Sequence, residues 1–178
     1  MPKSNVVLIG MPGAGKSSAG VILAARLDLR FHDTDEGLVA RHMEPLQRLI
    51  DRVGLDAFQR LEEEYVLGLN FKGSVIATGG SVVYSPAAMR ALKADGIVAY
   101  IRVSYEELKE RLTDVDTRGI VMEPLEDLEG LLKERTPLYE KYADVTVDAD
   151  GLDAELVAAE ITGILNSHPD WDQTDAPI

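Results

Sequence analysis

Apolar residues along this chain follow two alternating rhythms. Short, dense runs at Val6–Ile9, Leu29–His32, Ser74–Ala77, Ile97–Ile101 and Val145–Val147 are bounded by Gly, Asp or a helical stretch and predict buried strands. Between them, apolar residues recur at three- and four-residue intervals, the spacing of one helix face. That spacing predicts helices over Ser17–Leu27, Leu46–Val53, Phe58–Leu69, Pro86–Ala94, Tyr105–Leu112, Leu125–Tyr142 and Asp153–Leu165. Strands alternating with helices imply an α/β fold of three layers, a five-stranded parallel sheet with helices on both faces. Right-handed crossovers then bring the C-terminal ends of the strands to one edge, where ligands bind in such sheets.

Two stretches interrupt the alternation. Thr113–Pro124 has no clean period and lies between two helices, the position expected of a mobile lid. Asn166–Ile178 is polar, carries two prolines and reads as a loose tail, with Trp171 the residue able to dock it. The expected organisation is therefore one domain over residues 1–166, a lid at about 113–124, and a polar C-terminal tail over 167–178.

Composition narrows the chemistry. Of 178 residues, 46% are hydrophobic, enough for a two-sided core in one domain. A net charge of −13 argues against nucleic acid and against an anionic membrane as partners. The absence of cysteine excludes disulfides, zinc–thiolate sites and thiol nucleophiles, and the three histidines have no metal-ligand spacing. No run approaches a membrane span, and Met1–Asn5 lacks the apolar stretch of a signal peptide, so a cytoplasmic location is expected.

The residues after the first strand are Gly-Met-Pro-Gly-Ala-Gly-Lys-Ser, positions 10–17, a P-loop placed where a strand hands over to a helix. In that context Gly13, Ala14, Gly15, Lys16, Ser17 and Ser18 are expected to hold the phosphates of ATP. Backbone N–H groups point at the anion, Lys16 reaches the β- and γ-phosphates, and the Ser17 hydroxyl ligates Mg²⁺. The second strand ends in Asp33-Thr34-Asp35, two acids on the same sheet edge. One can complete the Mg²⁺ shell and the other can take a hydroxyl proton; alternatively, Asp35 N-caps a helix starting near Glu36. Thr78-Gly79-Gly80-Ser81 follows the third strand and lets backbone approach a ligand, or else makes a tight turn.

With Phe31-His32-Asp33-Thr34-Asp35, Val75-Ile76-Ala77-Thr78-Gly79-Gly80, Arg118 and Glu134-Arg135-Thr136-Pro137-Leu138-Tyr139 in nearly colinear order over residues 5 to 165, the chain resembles the shikimate kinases. These are small P-loop kinases with a nucleoside-monophosphate-kinase-like fold. The resemblance implies Ser17 and Asp33 as Mg²⁺ partners and Asp35 as the acid holding the acceptor hydroxyl. It implies Lys16 and lid Arg118 as charges on the moving phosphoryl group, and Arg111 over the adenine face. Arg135 becomes a grip on the acceptor carboxylate, and Gly79 and Gly80 the backbone wall of the acceptor site. It also implies a monomer acting on a small hydroxylated metabolite.

The chain departs from that pattern in three places. The arginine usual after the phenylalanine of the acceptor helix is Gln59, the usual third glycine is Ser81, and the lid's Arg-Pro-Leu is Arg118-Gly119-Ile120. Replacing a forked cation by an amide removes a bidentate carboxylate contact, a loss of about 1.5–3 kcal/mol. Taken alone, Arg118 also fits an exposed loop, Arg135 a cation near a helix end, and Glu62-Glu63-Glu64 a solvated helix face. Three functions follow: phosphorylation of the shikimate 3-hydroxyl, phosphorylation of another hydroxylated metabolite such as homoserine or a sugar acid, or a non-catalytic nucleotide-binding regulatory module.

Overall fold

The computed structural model describes residues 3–116 and 127–171, with side chains placed for 3–112 and 127–171. Strands β1 (Asn5–Ile9), β2 (Arg30–Asp33), β3 (Ser74–Ala77), β4 (Gly96–Arg102) and β5 (Val145–Asp148) form one parallel sheet in the order β2-β3-β1-β4-β5. β1 lies at the centre, with Val7 opposite Ile76 of β3 on one side and Val98 of β4 on the other. All five of its residues are buried, as a central strand covered on both faces requires.

The helices are α1 (Lys16–Leu27), α2 (Thr34–His42), α3 (Leu46–Val53), α4 (Leu55–Leu67), α5 (Pro86–Asp95), α6 (Tyr105–Asp116), α7 (Leu128–Tyr142) and α8 (Ala154–Leu165). α1 packs on α8 and α4 on α5, while α1 and α5 both touch β1. The main core gathers Leu8, Leu23, Ile97, Tyr100, Tyr139 and Ile161 around the sheet. A second cluster, only Leu38, Leu49 and Phe58 at its centre, holds α2, α3 and α4 to one another.

Four local expectations change. α2 runs from Thr34, where the chain's apolar period is too weak to announce a helix. Its N-cap is Asp33, not Asp35: Asp33 keeps extended dihedrals (φ −107°, ψ 121°) and its Oδ1 accepts from the N–H groups of Asp35 at 2.9 Å and Glu36 at 3.3 Å. Thr34 and Asp35 are already helical, so Asp35 cannot cap. α6 continues to Asp116, into the stretch expected to lack structure, and α7 begins at Leu128. The tail is docked at its start: Lys3 N–H donates to the Asp170 carbonyl at 2.7 Å, and Trp171 pairs with Lys3 and packs on the main core.

Candidate active site

The P-loop curls between β1 and α1 as its glycines demand. Gly15 sits at φ 92°, and a Cβ on Gly10 would lie 2.6 Å from the Ile101 carbonyl oxygen of β4. Lys16 opens α1 and is 8% exposed. Its Nζ donates to the carbonyls of Gly10 and Met11, both at 2.9 Å, so the ammonium closes on its own loop. Burial lowers its pKa to about 8, opposed by the negative charges of Asp35 and Asp33.

Ser17 Oγ donates to Asp33 Oδ2 at 2.5 Å. The hydroxyl and carboxylate predicted to share a Mg²⁺ ion are thus adjacent, and Asp33's other oxygen is committed to capping α2. Two hard oxygen ligands beside a phosphate loop suit Mg²⁺, which takes few protein ligands and completes its shell with water and phosphate. No group of three or more His, Cys, Asp or Glu residues able to hold a metal occurs among the described residues. Arg111 reaches the loop from α6: its guanidinium donates to the carbonyls of Ala14 (3.1 Å), Ala149 (2.8 Å) and Leu152 (3.4 Å), and Glu107 accepts from Nε at 3.0 Å. It therefore ties α6 to the P-loop and to the turn after β5.

A cleft of about 500 Å³ runs from Ser18 and the P-loop to Gly79 and Gly80, and Lys16, Asp35, Phe58 and Arg135 also line it. Its floor is pinned by hydrogen bonds from distant segments. Gly79 N–H donates to Thr34 Oγ1 at 3.1 Å, which locks the Asp-Thr-Asp element onto the Gly-Gly turn. The Tyr139 hydroxyl donates to the Gly80 carbonyl at 2.7 Å. Arg135, one turn before Tyr139, is 3% exposed and mid-helix, so the helix-end reading of this cation is wrong. Its Nε donates to the Tyr84 hydroxyl at 3.2 Å, and that hydroxyl donates to Glu134 Oε1 at 2.6 Å. The guanidinium carbon lies 5.3 Å from the Tyr84 ring centre.

Glu62 overturns the reading of residues 62–64 as a solvated face. It is 2% exposed, and its Oε2 accepts from Ser81 Oγ at 2.6 Å. Oε1 is buried without a hydrogen-bond partner among the described residues. Burial raises its pKa to about 7; the Ser81 hydrogen bond opposes that rise and Asp35 adds to it. Glu63 accepts from Ser85 Oγ. α4 lies against the β3–α5 connection, so Glu62 and in part Glu63 become interior contacts, while Glu64 stays on the exposed face. Gln59 does not line the main cleft: with Asp56, Arg60, Glu63 and Tyr84 it borders a neighbouring cavity of about 330 Å³ that Ser81 shares. Arg118 and most of the expected lid lie outside the described residues.

A shikimate kinase family model matches residues 12–166. Shikimate kinase 1 of Salmonella newport is 37% identical over 171 residues, 93% of this chain and 98% of that protein. The chain belongs to the shikimate kinase family. Among solved structures, shikimate kinase from Acinetobacter baumannii in complex with shikimate superposes with a TM-score of 0.84 at 29% identity, over 93% of this chain and 94% of that one. Shikimate kinase from Aquifex aeolicus superposes with a TM-score of 0.77 at 30% identity, over 92% of this chain and 96% of that one.

Three supporting residues of this family member escape a reading by period and motif. Thr34 sits between the two aspartates, and only its position in the acidic motif hinted at a role. Tyr139 closes the Arg-x-Pro-Leu-Tyr element, whose i, i+4 spacing places it under Arg135's face. Tyr84 had no signal, because its partners Glu134 and Arg135 lie about fifty residues away.

Proposed function

We propose that this protein is an ATP-dependent kinase that transfers the γ-phosphoryl group to the 3-hydroxyl of shikimate. The observation that carries the reading is the shared cleft in which Lys16, Asp35, the Gly79-Gly80 turn and buried Arg135 meet. Gly13 to Ser18 hold the triphosphate, and Arg111 stiffens the base of that loop beside the nucleotide. Arg135 grips the acceptor carboxylate, and Asp35 orients the acceptor hydroxyl and takes its proton as the oxygen attacks the γ-phosphorus and ADP departs. Lys16 leaves its two loop carbonyls for the phosphates, where with Arg118 it offsets the charge on the moving group. Ser17 and Asp33 would hold a Mg²⁺ ion, which would neutralise charge on the phosphates.

We further propose one domain over residues 1–166 with a lid at about 113–124 that closes on the loaded site and a tail over 167–178. The enzyme works in the cytoplasm as a monomer, and no described helix is long and apolar enough to cross a membrane. A second reading, a different hydroxylated acceptor such as homoserine or a sugar acid, is favoured by Gln59 standing outside the cleft and by an acid, Glu62, beside it. Coupled ADP release with Mg-ATP against shikimate, homoserine and a panel of hydroxy acids and polyols separates the two. Saturable turnover on shikimate upholds the first reading, and turnover on another acceptor with shikimate silent upholds the second. Silence on all of them leaves a nucleotide-binding regulatory module.

A further inference from the structure

Among the described residues the cations lining the cleft are Lys16 and Arg135, and Lys16 belongs to the phosphate loop. A single guanidinium at the acceptor end has to be aimed, because a long side chain that swings presents its fork in few of its rotamers. Tyr84 aims it. Arg135 Nε donates to the Tyr84 hydroxyl at 3.2 Å, and the guanidinium carbon lies 5.3 Å from the centre of that ring. Burial, and then the Glu134 contact, raise the pKa of the phenol, so it keeps its proton. That proton goes to Glu134 Oε1 at 2.6 Å, which leaves a lone pair turned to Nε. The support is itself fixed: Tyr84 ends the short 3₁₀ turn Val82–Tyr84 just after the Gly79-Gly80 wall, and its N–H donates to the Ser81 carbonyl at 3.0 Å. That turn packs on both α4 and α7. A Cβ on Gly80 would lie 3.0 Å from Arg135 Nη1, so the far end of the guanidinium reaches the acceptor wall.

We propose that Tyr84 is a positioning residue for acceptor recognition. Its hydroxyl holds Nε and its ring holds the plane of Arg135, so that the terminal nitrogens present a fork for a carboxylate beside Gly80. Tyr84 touches no acceptor atom; it acts through Arg135 and sharpens the preference for an acceptor that carries a carboxylate at that end. Position 59 supplies an amide rather than a second cation, and it borders the neighbouring cavity together with Tyr84. The inference rests on the kinase reading above and adds to it the contact that lets one arginine suffice for the acceptor carboxylate.

The test is steady-state kinetics on the full chain: kcat and KM for shikimate, KM for Mg-ATP, and the inhibition constant of the neutral carboxamide of shikimate as a competitor. Tyr84→Phe keeps the ring and removes the hydroxyl. It should raise KM for shikimate by about fivefold, with kcat within about twofold and KM for Mg-ATP unchanged. The carboxamide has no charge for an aimed guanidinium to grip, so its inhibition constant should stay within about twofold. The preference for carboxylate over carboxamide therefore shrinks, whereas a loosened wall would weaken both ligands alike. Tyr84→Leu also removes the ring contact and should raise KM for shikimate by about tenfold or more, with the same selectivity. Thermal melts identify a variant that fails to fold, and the other then carries the test. Equal weakening of shikimate and carboxamide, or no change in either, overturns this inference and leaves the kinase reading standing. No turnover of shikimate by the unmodified enzyme overturns the shikimate reading and the inference with it.

Discussion

The phosphate end of the cleft and its acceptor end are built in opposite ways. At the phosphate end, β1, the loop from Gly10 and the first turn of α1 are continuous in sequence, and Asp33 of the adjoining β2–α2 junction is the main addition from elsewhere. The acceptor end draws on α2, α4, the turn after β3 and α7, segments separated by up to a hundred residues. The first region stands on the large core around the sheet, while α2, α3 and α4 share a cluster with only three fully buried apolar residues. A rigid, contiguous loop suits a ligand common to many kinases; a wall made of distant pieces on a smaller core can change by single substitutions. Of the departures from the family pattern within the described residues, Ser81 falls on that second wall, and Gln59 borders the neighbouring cavity that Ser81 shares.

The strongest way to break this division is at its boundary, Asp35, which lies between the two ends. Asp35→Asn should lower kcat by about 100- to 10,000-fold while ATP affinity stays nearly constant. Equal damage to both would make Asp35 part of the phosphate end rather than the base for the acceptor.

The acceptor end should also show in stability, through Glu62. In the fold its carboxyl keeps its proton up to about pH 7, whereas the unfolded chain releases it near 4.5. Between those values the folded state binds more protons, so stability falls as pH rises through the window, by on the order of 3 kcal/mol, and levels off above it. Chemical denaturation at pH 5 and pH 8 should reveal that drop, and Glu62→Gln should flatten it. An identical drop in the variant would assign it to other groups.

At the phosphate end the matching titration is that of Lys16. With its pKa lowered to about 8 by burial, the free enzyme loses this ammonium as pH rises past that value. Mg-ATP affinity should therefore weaken by up to about tenfold per pH unit from pH 8 toward 10, with proton uptake on binding measured by calorimetry in two buffers. A flat affinity over that range would mean that Lys16 contributes no charge to phosphate binding. The smallest effect expected is at Gln59. Gln59→Arg should leave shikimate KM unchanged or improve it by about tenfold, and should damage turnover of an ammonium-bearing acceptor. Damage to shikimate turnover would place the acceptor carboxylate away from this helix.

Much of the fold was readable from period alone. All five strands and seven helices lie where the apolar rhythm put them, because a strand covered on both faces must be continuously apolar and a surface helix must show one apolar stripe. α2 is legible only as the alternative of a helix starting near Glu36, because its weak apolar period leaves it to be specified by its cap, and that cap is Asp33, a carboxylate that also serves Ser17. Residue type could not tell Asp33 from Asp35; only the backbone angle at the end of β2 did.

The sequence by itself determined the P-loop, its strand and helix, the parallel sheet and the acids at its edge. Each of those is a local pattern whose physics acts over a few residues. Tertiary structure alone decided which side of α4 is interior, and so made a buried, Ser81-held carboxylate of Glu62 and left Gln59 outside the cleft. It also buried Arg135 mid-helix against Tyr84 and set Tyr139 under Gly80. Those outcomes depend on which distant segment covers a side chain, and burial, the quantity that shifts a pKa or orphans an oxygen, does not exist until the segments meet.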